Sequence, residues 1–246
     1  MGKPSHMVLD KTEPFIIVDK ASGTLPWINE LSAAVEDQSF VVPRVEIGHA
    51  SADQIATWLD KNLPRQPISG STRDALLSDV LRLLYFVEIK TAATRFKLRL
   101  FTEKPCRRCG FHVDTVRPGA PVWGGLKIYN GNGVDWVQPA EIISMQHFYQ
   151  WLEARDFIVR KYTADQLLCH EKLQVLDQEL TFLTDEATIQ HINAGTMVLF
   201  KHIPADKLWG DHNTDMAWVH CSPMQGKTRL VVNISADPYP TPFSVA

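Results

Sequence analysis

Cysteine is scarce in this sequence. Cys106, Cys109, Cys169 and Cys221 are too few and too unevenly spread for a disulfide framework in a chain of 246 residues, so reduced thiols are expected. Long apolar runs are missing as well: the stretch from Ala75 to Val87 is broken by Ser78, Asp79 and Arg82 well before it could cross a bilayer. Charge of one sign is also lacking. The formal net charge is −3 and there is no Lys/Arg-rich run, which argues against a nucleic-acid partner. The opening residues hold no basic segment followed by an apolar one, so a cytoplasmic location without a membrane partner is the expectation. No repeat, low-complexity tract or Pro-rich linker divides the chain. Hydrophobic residues make up 45% and charged residues 22%, the balance of an ordinary globular protein able to bury a large core. Residues 1–7, ending in Ser5-His6-Met7, read as an expression scar, and His6 is set aside on that ground.

The N-terminal third reads as mainly helical after an irregular lead. Ser51 with Gln54 has capping-box form, and Ile55, Trp58 and Leu59 follow at helical spacing, which predicts a helix from about Ala52 to Leu63, ended by Pro64 and Pro67. A second start signal, Ser71 or Thr72 with Asp74, precedes Leu76, Leu77, Val80, Leu81, Leu84 and Val87, a broad apolar face suited to buttressing a sheet. After Thr91 the period changes. Phe96, Leu98 and Leu100 alternate with Lys97, Arg99 and Phe101, and Gly125 to Tyr129 reads as a further strand. Asn130-Gly131-Asn132-Gly133 is turn chemistry, with Val134 to Val137 expected to return as the partner strand. The stretch 140–192 is helical in composition and reads as an insertion. Thr196 to Phe200, Met216 to His220 and Arg229 to Ser235 read as strands again. The expected fold is α+β, a double-stranded β-helix of jelly-roll or cupin type. Residues 8–92 would support a core at 93–246 that carries the helical insertion.

Phe111-His112-Val113-Asp114 places an imidazole and a carboxylate two positions apart, so on an extended chain both face the same side. His220, ending the apolar run Met216-Ala217-Trp218-Val219, supplies a second imidazole. Two histidines and one carboxylate on one face of a metal leave the opposite face open, the arrangement of non-haem Fe(II) oxygenases. The expected ligand distances are about 2.0–2.2 Å, by analogy with zinc.

The ordered set His112-x-Asp114, Gly195-Thr196-Met197-Val198-Leu199-Phe200, His220 and Arg229 resembles the Fe(II)/2-oxoglutarate-dependent dioxygenase superfamily. More specifically, Phe111-His112-Val113-Asp114, the run Tyr129 to Trp136, and His220-Cys221-Ser222-Pro223 with Arg229-Leu230 resemble an uncharacterised bacterial family. The superfamily resemblance implies that His112, Asp114 and His220 bind Fe(II), and that Arg229 pairs with the distal carboxylate of the cosubstrate 2-oxoglutarate. A guanidinium offers a carboxylate two parallel donors, consistent with that role. Arg229 follows His220 at a spacing slightly short of the superfamily's usual one, and Lys227, Thr228 or Ser235 could share the task. Molecular oxygen and a small-molecule substrate are the partners implied, with the metal supplying the oxidative chemistry and the protein the geometry.

Other readings stay open. The same triad, assisted by Cys106 and Cys109, would also suit a non-catalytic, cupin-shaped metal-binding or sensing protein. An open three-ligand site can also activate water, although no general base for a hydrolase is evident. Arg107 and Arg108 would lower the thiol pKa values of Cys106 and Cys109. Tyr129, Trp136 and Trp218 are candidates for the pocket or the core. His147, His170, His191, His202 and His212 read as exposed loop histidines, with His202 and His212, which flank the segment leading to His220, also candidates for contacts behind the ligands or with substrate; Cys169-His170-Glu171, on a helix, does not converge on one point.

Overall fold

The computed structural model describes residues 13–20, 25–105 and 110–239. In chain order these form β1 (Phe15–Asp19), α1 (Pro26–Glu36), β2 (Val45–Ala50), α2 (Ala52–Asn62) and α3 (Gly70–Thr91). Next come β3 (Phe96–Glu103), β4 (Thr115–Val116), β5 (Trp123–Ile128), β6 (Val134–Trp136), α4 (Met145–Lys161) and α5 (Gln166–Gln178). The chain continues through β7 (Gln190–Ile192), β8 (Met197–Lys201), β9 (Ile203–Pro204), β10 (His220–Cys221) and β11 (Arg229–Ala236).

Local chemistry accounts for the helix starts. Ser51 accepts from the Gln54 backbone N–H and Gln54 accepts from that of Ser51, so both halves of the capping box form at the head of α2. The cap of α3 is Ser69, ahead of the expected Ser71 or Thr72. The reason is tertiary: Glu30 of α1 accepts from the Ser69 hydroxyl at 2.8 Å and from the Thr72 hydroxyl, pinning the chain at that point.

The larger sheet has six strands in the order β1-β8-β5-β11-β3-β2, and the smaller has the order β10-β6-β7. His112 joins the smaller sheet beside β10 through reciprocal backbone bonds with His220 of 2.8 and 3.0 Å. Strand β4 pairs in parallel with β9. With that short pair set aside, β3, His112, β5, β6, β7, β8, β10 and β11 can be counted one to eight. The larger sheet then runs 6-3-8-1 and the smaller 2-7-4-5, the interleaving of a jelly roll. The fold is thus α+β with a double-stranded β-helix at its centre. Helices α4 and α5 lie between β6 and β7, the one step among these eight strands at which the chain stays in the same sheet.

Three further features depart from the sequence reading. Strands β1 and β2, unexpected in a helical lead, extend the larger sheet at both edges. Strand β6 pairs with β7 and β10 rather than returning along β5. Asn130 bonds the Thr228 carbonyl at 2.8 Å and the Leu230 N–H at 2.9 Å, which ties the Asn-Gly-Asn-Gly turn to β11 as the chain crosses between sheets. Residues 216–219 are bent and irregular, so the strand expected from Met216 begins only at His220.

Alternation along the strands sorts the side chains into layers. Phe96, Leu98, Leu100, Leu230, Val232 and Ile234 face α1, α2 and α3, where the largest apolar core forms. Val231, Phe101, Leu126, Ile128, Phe200 and Trp218 pack between the sheets. Phe111, Val219 and Cys221 lie in a third cluster with Phe148 and Trp151 of α4. Burial of these three residues on the outer side of the smaller sheet turns their neighbours His112 and His220 inward.

Candidate metal centre

His112, Asp114 and His220 meet between the sheets. One ligating atom from each lies within 4.8 Å of the other two. The imidazole centroids of His112 and His220 are 4.4 Å apart, and His112 Nε2 is 3.8 Å from Asp114 Oδ1. His220 is buried and stacks on Trp218 at an interplanar angle of 14°, while His112 and Asp114 are partly open to a cavity of about 320 Å³.

Each imidazole has its orientation set by a backbone carbonyl. Nδ1 of His112 donates to Gly110 O at 2.9 Å, and Nδ1 of His220 donates to Trp218 O at 2.9 Å. A carbonyl can only accept, so Nδ1 carries the proton in each neutral ring and Nε2 is left as a bare lone pair. Metal-binding histidines are held in this way. Asp114 Oδ2 accepts from the Asn233 side-chain amide at 3.1 Å, and the Asp114 carbonyl accepts from Ile203 N–H at 2.9 Å.

The electrostatics agree with this arrangement. Burial, and then the neighbouring His112, push the His220 imidazolium down to about 3, so the ring is neutral near pH 7. For Asp114, burial raises the carboxyl while His220, His112, His202 and Arg99 lower it; the net position is below the ordinary value and the group is ionised. Three acceptor atoms therefore converge with no donor between them, and a cation satisfies such a group. The donor set of two imidazoles and a carboxylate fits Fe(II).

His202, expected first as an exposed loop residue and second as a contact of the site, is such a contact. It is buried rather than exposed, because its Nδ1 bonds Val122 O at 3.0 Å and its ring packs on Phe200, with Nε2 3.9 Å from Asp114 Oδ2. The small residue at Gly124 makes room for it: a Cβ there would meet His202 Cε1 at 2.0 Å. His212 is also buried, bonded to the Tyr149 hydroxyl and packed on its ring, which draws it out of solvent. His147, His170 and His191 are exposed as expected, but on α4, α5 and β7 rather than in loops.

Arg229 lines the same cavity but is 2% exposed and already paired with Glu103. Lys227 points elsewhere, its ammonium on Glu36, and neither Thr228 nor Ser235 lines the cavity. Trp218 is core, Tyr129 is buried among the helix-facing residues, and Trp136 packs against the inter-sheet cluster, so none of the three aromatics walls the cavity. Cys106 and Cys109, with Arg107 and Arg108, lie outside the described residues. Cys169 is buried in α5 while His170 is exposed, in line with side chains that diverge around a helix. Among the described residues no helix is long and apolar enough to cross a membrane.

No protein-family model matches the chain, so nothing beyond the motifs supports the resemblance to an uncharacterised bacterial family, and no curated protein matches either. Among solved structures, a Pseudomonas putida prolyl-4-hydroxylase is similar at 12% identity and a TM-score of 0.39, over 93% of this chain and 95% of that one. A rice dioxygenase for auxin oxidation is similar at 11% identity and a TM-score of 0.44, over 92% and 74%. The Kdo hydroxylase KdoO, a non-heme Fe(II) alphaketoglutarate-dependent dioxygenase, is similar at 13% identity and a TM-score of 0.30, over 86% of each chain. These neighbours are dioxygenases and hydroxylases, and this chain carries a His-Asp-His cluster inside a double-stranded β-helix.

Proposed function

We propose that this chain is a non-haem Fe(II) oxygenase that uses 2-oxoglutarate and molecular oxygen to hydroxylate or otherwise oxidise a small molecule. The observation that carries the reading is the convergence of His112 Nε2, His220 Nε2 and an Asp114 carboxylate oxygen with no donor among them. In this reading residues 93–246 are the catalytic core, with its insertion at about 140–192, and residues 8–92 support it.

His112, Asp114 and His220 would hold the metal on one face. When bound, Fe(II) supplies the oxygen activation and the oxidising power. The protein does the rest. The Gly110 and Trp218 carbonyls keep both Nδ1 protons away from the metal side, and Asn233 fixes the plane of the Asp114 carboxylate. Arg229 would bind the distal carboxylate of 2-oxoglutarate, the strongest pairing a planar guanidinium makes. Phe101, Leu126 and Val231 line the same cavity and exclude water from its apolar wall.

The test is to load anaerobic protein with Fe(II), add 2-oxoglutarate, record the visible charge-transfer absorption of the chelate, and then admit air and assay succinate. Both signals are expected. Absence of both, together with tight retention of zinc, would replace the oxygenase reading by that of a non-catalytic metal-binding protein.

A further inference from the structure

Arg229 opens β11 and stands directly opposite Glu103, the last residue of β3, in the antiparallel ladder. Its guanidinium has five N–H groups. Nε donates to Glu103 Oε1 at 2.9 Å, and Nη2 donates to the same oxygen. Nη1 donates to Gly133 O at 2.8 Å and, at longer range, to Asn132 O at 3.4 Å. The Nε/Nη2 edge, which would grip a carboxylate with two parallel bonds, is therefore occupied by a carboxylate of the chain itself.

The two partners differ in freedom. The Arg229 side chain is 2% exposed and tied to two backbone carbonyls of the turn, whereas the Glu103 side chain is 22% exposed. Glu103 engages only through Oε1 among the described residues. If one partner moves, it is Glu103. Two carboxylates crowded around one buried guanidinium would repel each other in a site with little solvent to screen them.

We infer that Glu103 is an internal competitor for the carboxylate subsite at Arg229: an incoming dicarboxylate has to displace it, and this exchange sets how tightly the cosubstrate binds. The inference rests on the reading of Arg229 given above. A ligand that needs a minor conformer binds more weakly by the fraction of time that conformer is present, so a Glu103 seated nine-tenths of the time weakens binding about tenfold. A 2-oxo acid without a distal carboxylate gains nothing at Arg229 and is indifferent to where Glu103 sits.

The experiment is calorimetric titration of Mn(II)-loaded wild type, Glu103→Gln and Glu103→Asp with 2-oxoglutarate and, separately, with pyruvate. Glu103→Gln should tighten 2-oxoglutarate about tenfold while leaving pyruvate unchanged, and Glu103→Asp, with the charge kept but the reach shortened, should tighten it less. If wild type binds 2-oxoglutarate and neither variant binds it more tightly, competition by Glu103 is overturned and the role of Arg229 survives. If all three proteins bind no 2-oxoglutarate, both ideas fall together. A melting curve reports whether each variant folds, and should Glu103→Gln not fold, Glu103→Asp decides in the same directions.

Discussion

Asn233 on β11 donates its side-chain amide to Oδ2 of Asp114 at 3.1 Å, across 119 positions of sequence. That oxygen is therefore occupied and Oδ1 faces His112. Loss of hydrogen bonds that orient ligands typically lowers metal affinity by about 10–100-fold. Asn233→Ala is expected to fall in that range in a chelator-competition assay with an unchanged melting profile. Wild-type affinity in the variant would show that this amide does not orient the carboxylate.

Removing a ligand has a larger consequence. His112→Ala and His220→Ala should each emerge from purification and Fe(II) reconstitution without bound iron, as read by elemental analysis. Iron that survives either substitution would remove that histidine from the ligand set. His220→Ala should also lower stability, since it empties a buried position stacked on Trp218.

Behind the larger sheet, Lys127 of β5 and Asp79 of α3 form a 2.7 Å ion pair with both side chains below 10% exposure. Breaking a buried pair from one side costs about 3–5 kcal/mol where the other charge is stranded, but Asp79 Oδ1 also accepts from Arg82 at 3.0 Å and keeps that partner. Lys127→Met should therefore lose less, about 1–3 kcal/mol in urea denaturation, and the double variant with Asp79→Leu, in which Arg82 keeps Asp19, should recover part of it. Metal affinity should not change in either protein, since the pair faces the helices and the ligands face the cavity.

Two tyrosines set the alkaline limit. Burial pushes the Tyr149 phenol up to about 12, and burial with Asp79 nearby raises Tyr129 as well. A group whose folded pKa lies above its unfolded value contributes stability in full below the unfolded pKa, near 10 for tyrosine, and loses it as pH rises through the folded one. Unfolding midpoints should hold up to about pH 10 and decline between about 10 and 12. Tyr149→Phe should decline less steeply over that window; an identical slope would mean that Tyr149 ionises freely in the folded protein.

Much of the site could be read from spacing. Phe111-His112-Val113-Asp114 alternates apolar residues with candidate ligands, and in the fold Phe111 and Val113 join the α4 cluster while His112 and Asp114 turn to the cavity. The capping box at Ser51 and the alternation from Phe96 were equally local and appear as α2 and β3. What escaped the sequence reading depended on distant partners. The burial of His202 was not legible, and the loop reading was preferred to that of a site contact, because neither Val122 nor Gly124 is near it in sequence. Strand β6 looked like the return of a hairpin because Asn130 bonds to β11, a hundred residues away, and this bonding has no local signature.

Periodicity and residue type, properties of a few neighbouring positions, determined by themselves that His112 and Asp114 would share a face and that both, like His220, have side chains able to hold a cation. The tertiary structure alone decided which strands would be adjacent and what each charged group would find there. Arg229 shows the difference: as a guanidinium at the start of a strand it was evident in the sequence, but its pairing with Glu103 arises only when β11 and β3 lie in register. Backbone pairing between remote segments is selected by how the whole core packs, and no short stretch of chain encodes it.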